Sequence, residues 1–231
     1  PGSLVGSEMC IRDRTGVTGI CGSGIIEAIA ELYLCGIISQ DGLFDESMMG
    51  RSNRIIKEGR TCSYLLHKGE PELRITQNDI RAIQLAKAAL YAGIRLLMDH
   101  LGIEEVQRIR LAGAFGSHID VKYAMILGLI PDCDLDHVSS AGNAAGTGAR
   151  MALLNHGSRR EIEETVRKIE KVETAVEPAF QQHFVDAMAI PHKHAPSTHL
   201  QKTVSLPEAK NNAQGNGDST SRRRRSKRVV A

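Results

Sequence analysis

Apolar positions recur at helical spacing in several stretches of the chain and cluster in short runs between them. Ile25, Ile29 and Leu32, with Ile26, Ala30 and Tyr33 beside them, make one face of a first helix that Gly36 is placed to stop. Residues 54–57, 63–67 and 73–75 read as short strands, parted by turns at Gly59 and at Gly69-Glu70-Pro71. Thr76, with Asp79 three positions on, is a capping-box start, and the longest helix follows it. The face predicted to be buried carries Ile80, Ile83, Lys87, Leu90, Ile94, Leu97 and Leu101, with Ala86, Ala89 and Gly93 keeping a neighbouring stripe small. Lys87 is the polar exception in that row and is expected to lay its stem on the core and reach water with its amine. Gly102 ends the helix.

Residues 106–112 form a β-branched run that leads into Gly113-Ala114-Phe115-Gly116, and a short helix near 121–127 ends before Pro131. Asp132, Asp134 and Asp136 lie in an acidic loop. Gly142-Asn143-Ala144-Ala145-Gly146 opens a helix that runs to about Asn155. Ser158, with Glu161 three on, is expected to cap a charged helix that buries Ile162, Val166 and Ile169. Residues 172–175 read as a strand, and Pro178 starts a last helix holding Phe180, Phe184 and Met188. Beyond Pro191 the pattern stops. Residues 192–231 have no aromatic side chain and too few aliphatic ones to offset the entropy of ordering, so they are expected to be a disordered basic tail.

Composition sharpens this picture in three ways. The 231 residues suffice to bury a core, and no run of 18 apolar residues occurs, which excludes a helix that spans a membrane. The net charge of +2 is the sum of an acidic segment of −5 over residues 1–191 and a tail of +7. The five cysteines, at 10, 21, 35, 62 and 133, are odd in number and form no C-x-x-C pair, a poor pattern for zinc, an iron–sulfur cluster or a disulfide framework. Buried free thiols in a reducing compartment are expected. The opening shows no secretory leader. Residues 3–14 resemble translated adapter read-through at the end of a gene fragment, so 1–14 are expected to be a foreign leader.

The candidate chemistry lies in the glycines. Gly19-Ile20-Cys21-Gly22-Ser23-Gly24 precedes a helix that Ser23 is placed to cap, and backbone N–H groups at a positive helix end suit phosphate. No Lys follows the last Gly, so the loop is not a Walker A motif, and a plain tight turn remains open. Gly113-Ala114-Phe115-Gly116 ends a strand, where open α/β sheets bind ligands; a structural turn fits equally well. Gly142 to Gly146 permits close approach by a planar ligand or by another backbone. His118 with Asp120 reads as a surface pair, and Asp132, Asp134 and Asp136 read as a solvated loop that lacks the Gly and distal Glu of an EF-hand. No metal site is expected. The run Arg222 to Arg225 with Lys227 and Arg228 has no aromatic residue for base stacking, so nucleic acid is not the expected partner.

Taken in order, residues 19–28, residues 75–89, Leu111-Ala112-Gly113-Ala114-Phe115-Gly116 and Gly142-Asn143-Ala144-Ala145-Gly146 closely resemble the C-terminal region of the reductive activators of corrinoid proteins. These are members of the actin, sugar kinase and Hsp70-like ATPase superfamily, and the resemblance covers about 15–191. It implies an α/β fold of ribonuclease-H-like, actin-type topology, here a C-terminal lobe over 15–191. It implies ATP with Mg²⁺, with Gly22, Ser23 and Gly24 facing phosphate, Gly113, Ala114 and Gly116 on the adenosine side, and Asn143 and Gly146 closing the cleft. It also implies an upstream [2Fe–2S] domain, absent from this sequence, a corrinoid protein as partner, a cytoplasmic setting, and allows a homodimer. The family's Asp-x-Gly-Thr hairpin is absent too, so the catalytic acids would lie upstream and this chain alone is not expected to hydrolyse ATP. A small-molecule kinase of the same superfamily and a non-catalytic α/β interaction module are the alternatives.

Overall fold

The computed structural model describes residues 16–207 apart from 114, 115, 117 and 175. Helix α1 (Gly22–Leu34) is followed, after a 3-10 turn, by the strands β1 (Ile55–Glu58), β2 (Thr61–His67) and β3 (Leu73–Thr76), which form an antiparallel meander in the order β1-β2-β3. The long helix α2 (Gln77–Leu101) leads to β4 (Ile109–Ala112), helix α3 (Val121–Leu127) and β5 (Val138–Gly142), and β4 and β5 pair in parallel. Then come α4 (Ala144–Leu154), α5 (His156–Val166), α6 (Pro178–Asp186) and a last turn of helix, α7 (Leu200–Thr203). The main core joins α1, the meander and α3 through Ile29, Ile75, Ile80, Ile126 and Leu127, all essentially without solvent contact.

The capping box at the start of α2 is present: the Thr76 hydroxyl accepts the Asp79 N–H, and the Asp79 carboxylate accepts the Thr76 N–H at 2.8 Å. Gly102 closes the helix in the left-handed region. The buried face, however, is turned from the predicted one. Ile80, Lys87, Ala88, Tyr91, Ala92 and Leu96 point inward, whereas Leu90, Leu97 and Leu101 are exposed. The cause is α6, which packs along α2 through Phe184 and Ala187 and selects the Ala88 and Tyr91 side.

Lys87 does not reach water. It is 1% exposed, and its Nζ donates to the carbonyl oxygens of Ala189 and of Pro191, the latter at 2.7 Å. Burial pulls its amine down to about 7.

Other local expectations are also corrected. Cys21, not Ser23, caps α1, its sulfur accepting the Gly24 N–H at 3.4 Å. Asn155, not Ser158, caps α5 through its Oδ1. Ile162, Val166 and Ile169 are exposed, since nothing among the described residues lies over that side of α5. Residues 171–174 form no strand, while β5, unpredicted because its run Val138-Ser139-Ser140-Ala141-Gly142 holds little apolar weight, pairs with β4. Cys21 and Cys35 are exposed; Cys62 and Cys133 are buried.

The tail expected to be disordered begins as an ordered strap. Residues 188–192 cross α2, with Gln84 Nε2 donating to the Met188 carbonyl at 3.0 Å and Gln40 Nε2 to that of His192 at 3.1 Å. Asp132 is not simply solvated. Its carboxylate accepts the N–H groups of His199 and Leu200 at 2.8 and 2.9 Å, which starts α7 and seats Leu200 in the core. Val204 and Leu206 pack behind it. The segments 1–14 and 208–231 lie outside the described residues, so the expected leader and the arginine run have no structural account here.

Candidate nucleotide-binding site

The parallel pairing of β4 with β5 sets two of the three glycine turns side by side. Ala112 stands opposite Gly142 in the register, and the Gly113 N–H donates to the Gly142 carbonyl at 2.8 Å. Both turns leave the carboxyl ends of their strands, where open parallel sheets place ligands. Gly113 has φ +109°, a conformation closed to side-chain-bearing residues, and Gly142 has φ +62°. At Gly116 a Cβ would stand 3.1 Å from the Leu111 Cβ, so the turn folds back tightly on its own strand. Ala114 lies outside the described residues.

Asn143 caps α4, its Oδ1 accepting the Gly146 N–H at 2.9 Å and its carbonyl the Thr147 N–H at 3.0 Å. Gly146 leaves the room this cap needs, for a Cβ there would come within 2.8 Å of the Asn143 amide. The first-turn N–H groups of Ala144 and Ala145 remain for solvent or a ligand, and both residues are exposed. Asn143 and Gly146 thus hold each other, and the turn they shape faces the one at Gly113.

Gly22, Ser23 and Gly24 form the first turn of α1. One of the N–H groups expected to meet phosphate, that of Gly24, is taken by Cys21. The Ser23 hydroxyl stands 3.4 Å from the same sulfur, and these two hydrogen bonds, the hydroxyl's first, lower the Cys21 thiol below its usual range. Asp120 caps α3 with its carboxylate, 2.8 Å from the Lys122 N–H, which gives it a structural task apart from His118. Among the described residues no three His, Cys, Asp or Glu side chains gather as a metal site. The four described cysteines are therefore not grouped for an iron–sulfur cluster. No described helix is long and apolar enough to cross a membrane.

A meander, a long helix and a parallel strand pair carrying glycine turns at its carboxyl end define an α/β lobe of the actin-like ATPase class. The chain belongs to the family described as the C-terminal domain of RACo, the ASKHA domain, whose model matches residues 4–201. That match takes in most of the first 14 residues and extends ten residues past Pro191. The corrinoid activation enzyme RamQ of Eubacterium limosum is 37% identical over 184 residues, 74% of this chain and 31% of the relative. A solved structure of a reductive activator for corrinoid, iron-sulfur protein superposes with a TM-score of 0.67 at 35% identity, over 75% of this chain and 28% of that one. The chain thus spans about a third of the length of the relatives it matches.

Proposed function

We propose that this chain is the C-terminal ATPase lobe of a reductive activator that returns Co(II) corrinoid proteins to the Co(I) state. The observation that carries the reading is the juxtaposition of Gly113 with Gly142 and Asn143 at the ends of two parallel strands, in a family whose described domain is of the ATPase class. The names of the two relatives supply the corrinoid substrate class. ATP with Mg²⁺ would supply the free energy for moving an electron uphill to cobalt, and a [2Fe–2S] cluster in a preceding domain would supply the electron.

The residues present suit the adenosine side of such a cleft. Glycine at 113 lets the backbone turn sharply where no side chain intrudes, and Gly116 holds that turn against β4. Asn143 fixes the start of α4, so its two open N–H groups keep one direction. Gly22, Ser23 and Gly24 would meet the phosphates after the Gly24 N–H exchanges Cys21 for an oxygen. That exchange is feasible because a sulfur acceptor is weak. The exposed Cys21 and Cys35 thiols suit a reducing compartment, the cytoplasm.

Calorimetric titration of the chain with Mg·ATP tests the reading. Weak binding is expected, reduced at least tenfold by Gly113→Val, because a β-branched residue cannot adopt φ +109°. Ala145→Phe, at an exposed helical position, should reduce it equally with an unchanged far-UV spectrum. Binding that neither variant alters, or no binding at millimolar ATP, would overturn the assignment.

A further inference from the structure

A cavity of about 90 Å³ lies between α2, the chain that enters β4 and the ordered strap, several times the space one water needs. Tyr91, Arg95 and Met98 line it from successive turns of α2, and the strap around Pro196 forms another wall. Glu104, Glu105 and Val106 line it just ahead of β4, and no residue of the glycine turns takes part. Tyr91 is 8% exposed, and its hydroxyl makes no hydrogen bond among the described residues. Burial raises the phenol above its ordinary range, while Arg95 lowers it and Asp132 raises it. The hydroxyl thus lies in the field of two charges, and both of them line the cavity. A buried hydroxyl without a partner is costly, so this one calls for one.

The charge of the lining is negative. Arg95 is already matched: its guanidinium stands 2.9 Å from the Asp99 carboxylate and also donates to the Glu104 carbonyl. Glu104 and Glu105 are exposed, and neither carboxylate joins an ion pair or hydrogen bond among the described residues. Asp132 accepts from neutral donors, the N–H groups of His199 and Leu200 and the Thr198 hydroxyl. These carboxylates are spread out, for no three His, Cys, Asp or Glu side chains among the described residues gather as a metal site. A compact metal ion therefore fits poorly, whereas an organic cation can meet carboxylates from several sides. Met98 and Pro131, both buried, give the cavity apolar surface for a short carbon chain. We propose that the cavity binds a small alkylammonium ion, its nitrogen between the Tyr91 hydroxyl and the carboxylates and its carbon chain against Met98 and Pro131.

Titration of the 231-residue chain with n-butylammonium chloride, followed by backbone amide NMR shifts at constant ionic strength, tests this. Shifts should concentrate at Tyr91, Val106 and Thr198, with a Kd of about a millimolar for a ligand of so few atoms. Glu104→Gln together with Glu105→Gln should weaken binding about tenfold. The unfolding midpoint should stay unchanged, since both side chains are exposed. Tyr91→Phe, which keeps the ring and drops the hydroxyl, should weaken binding about fivefold. Glu161→Gln with Glu163→Gln, the same change of charge at exposed positions on α5, should leave the affinity as it was. n-Butanol, of the same shape without the charge, should cause no such shifts. The inference is overturned by an absence of localised shifts at about 50 mM, or by an equal response to n-butanol. It is overturned as well if the cavity substitutions leave the affinity unaltered, or if those on α5 lower it equally.

Discussion

Lys87 shows at the scale of one residue how context overrides type. Its place in an apolar row was legible in the sequence, but that row led to an amine expected in water, whereas the residue is buried whole. What the sequence did not reveal was the partner: two main-chain carbonyls from residues about a hundred positions away. Burial holds the amine down to about 7, against 10.5 in an open chain. As pH falls from 10.5 to 7 the unfolded chain takes up a proton that the folded chain refuses. Stability is therefore lost across that window, by an amount on the order of a few kcal/mol, and is level below pH 7 with respect to this group. Urea unfolding at steps from pH 7 to 10 should show a slope in the parent chain that Lys87→Met removes. Equal slopes in the two proteins would mean that the amine is charged and solvated in the folded state. Cys21 is the converse case. Serine is the better capping residue by type, but the chain enters α1 two positions earlier, and the residue at the entry makes the cap.

Among the elements, strong local signals predicted most of what formed. The capping box placed the start of α2, the glycines at 36 and 102 placed two helix ends, and Pro178 placed the start of α6. The face each helix buries depended on its neighbours instead. In α2 the apolar residues outnumber the places the core offers, so the packing of α6 chose among them. Helices α4 and α5 pack on each other and bury no residue fully, leaving Leu153 and Leu154 exposed. With so little burial, the stability of α5 rests on its cap. Asn155→Ala, which frees the Gly157 and Ser158 N–H groups, should lower helix stability by about 1 kcal/mol. Amide hydrogen exchange confined to residues 156–166 would register it, and unchanged protection there would show that the cap carries no weight. Strand β5 escaped sequence reading because its register partner, and not its own side chains, makes it a strand.

For the whole molecule, the strap over residues 188–207 matters most. Composition alone marks 192–231 as unable to build a core. It does not show that part of the segment completes a core that already exists. Leu200 fills a pocket beside α3, Asp132 caps the turn that holds it, and the His192 ring accepts the N–H groups of His194 and Ala195. Removing residues 193–231 should therefore cost a few kcal/mol, since Leu200 is fully buried, worth roughly 1.5–3 kcal/mol, and the half-buried Val204 and Leu206 add less. A thermal midpoint equal to that of the intact chain would show the strap to be a passive appendage.

The candidate site was legible as three glycine turns, and in two of them, at Gly113 and Gly142, the backbone takes the positive φ that favours glycine. The three short strands of the meander and the long helix were legible too, since these follow from signals close along the chain, whereas β5 was not. Tertiary structure decided which turns stand together. Gly113 and Gly142 meet because parallel pairing joins strands 29 positions apart, whereas the turn at Gly22 stays on α1. It also decided which apolar faces are covered, where Lys87 lies, and that the strap is ordered. Each of these depends on what packs against a segment, a property its own residues do not contain.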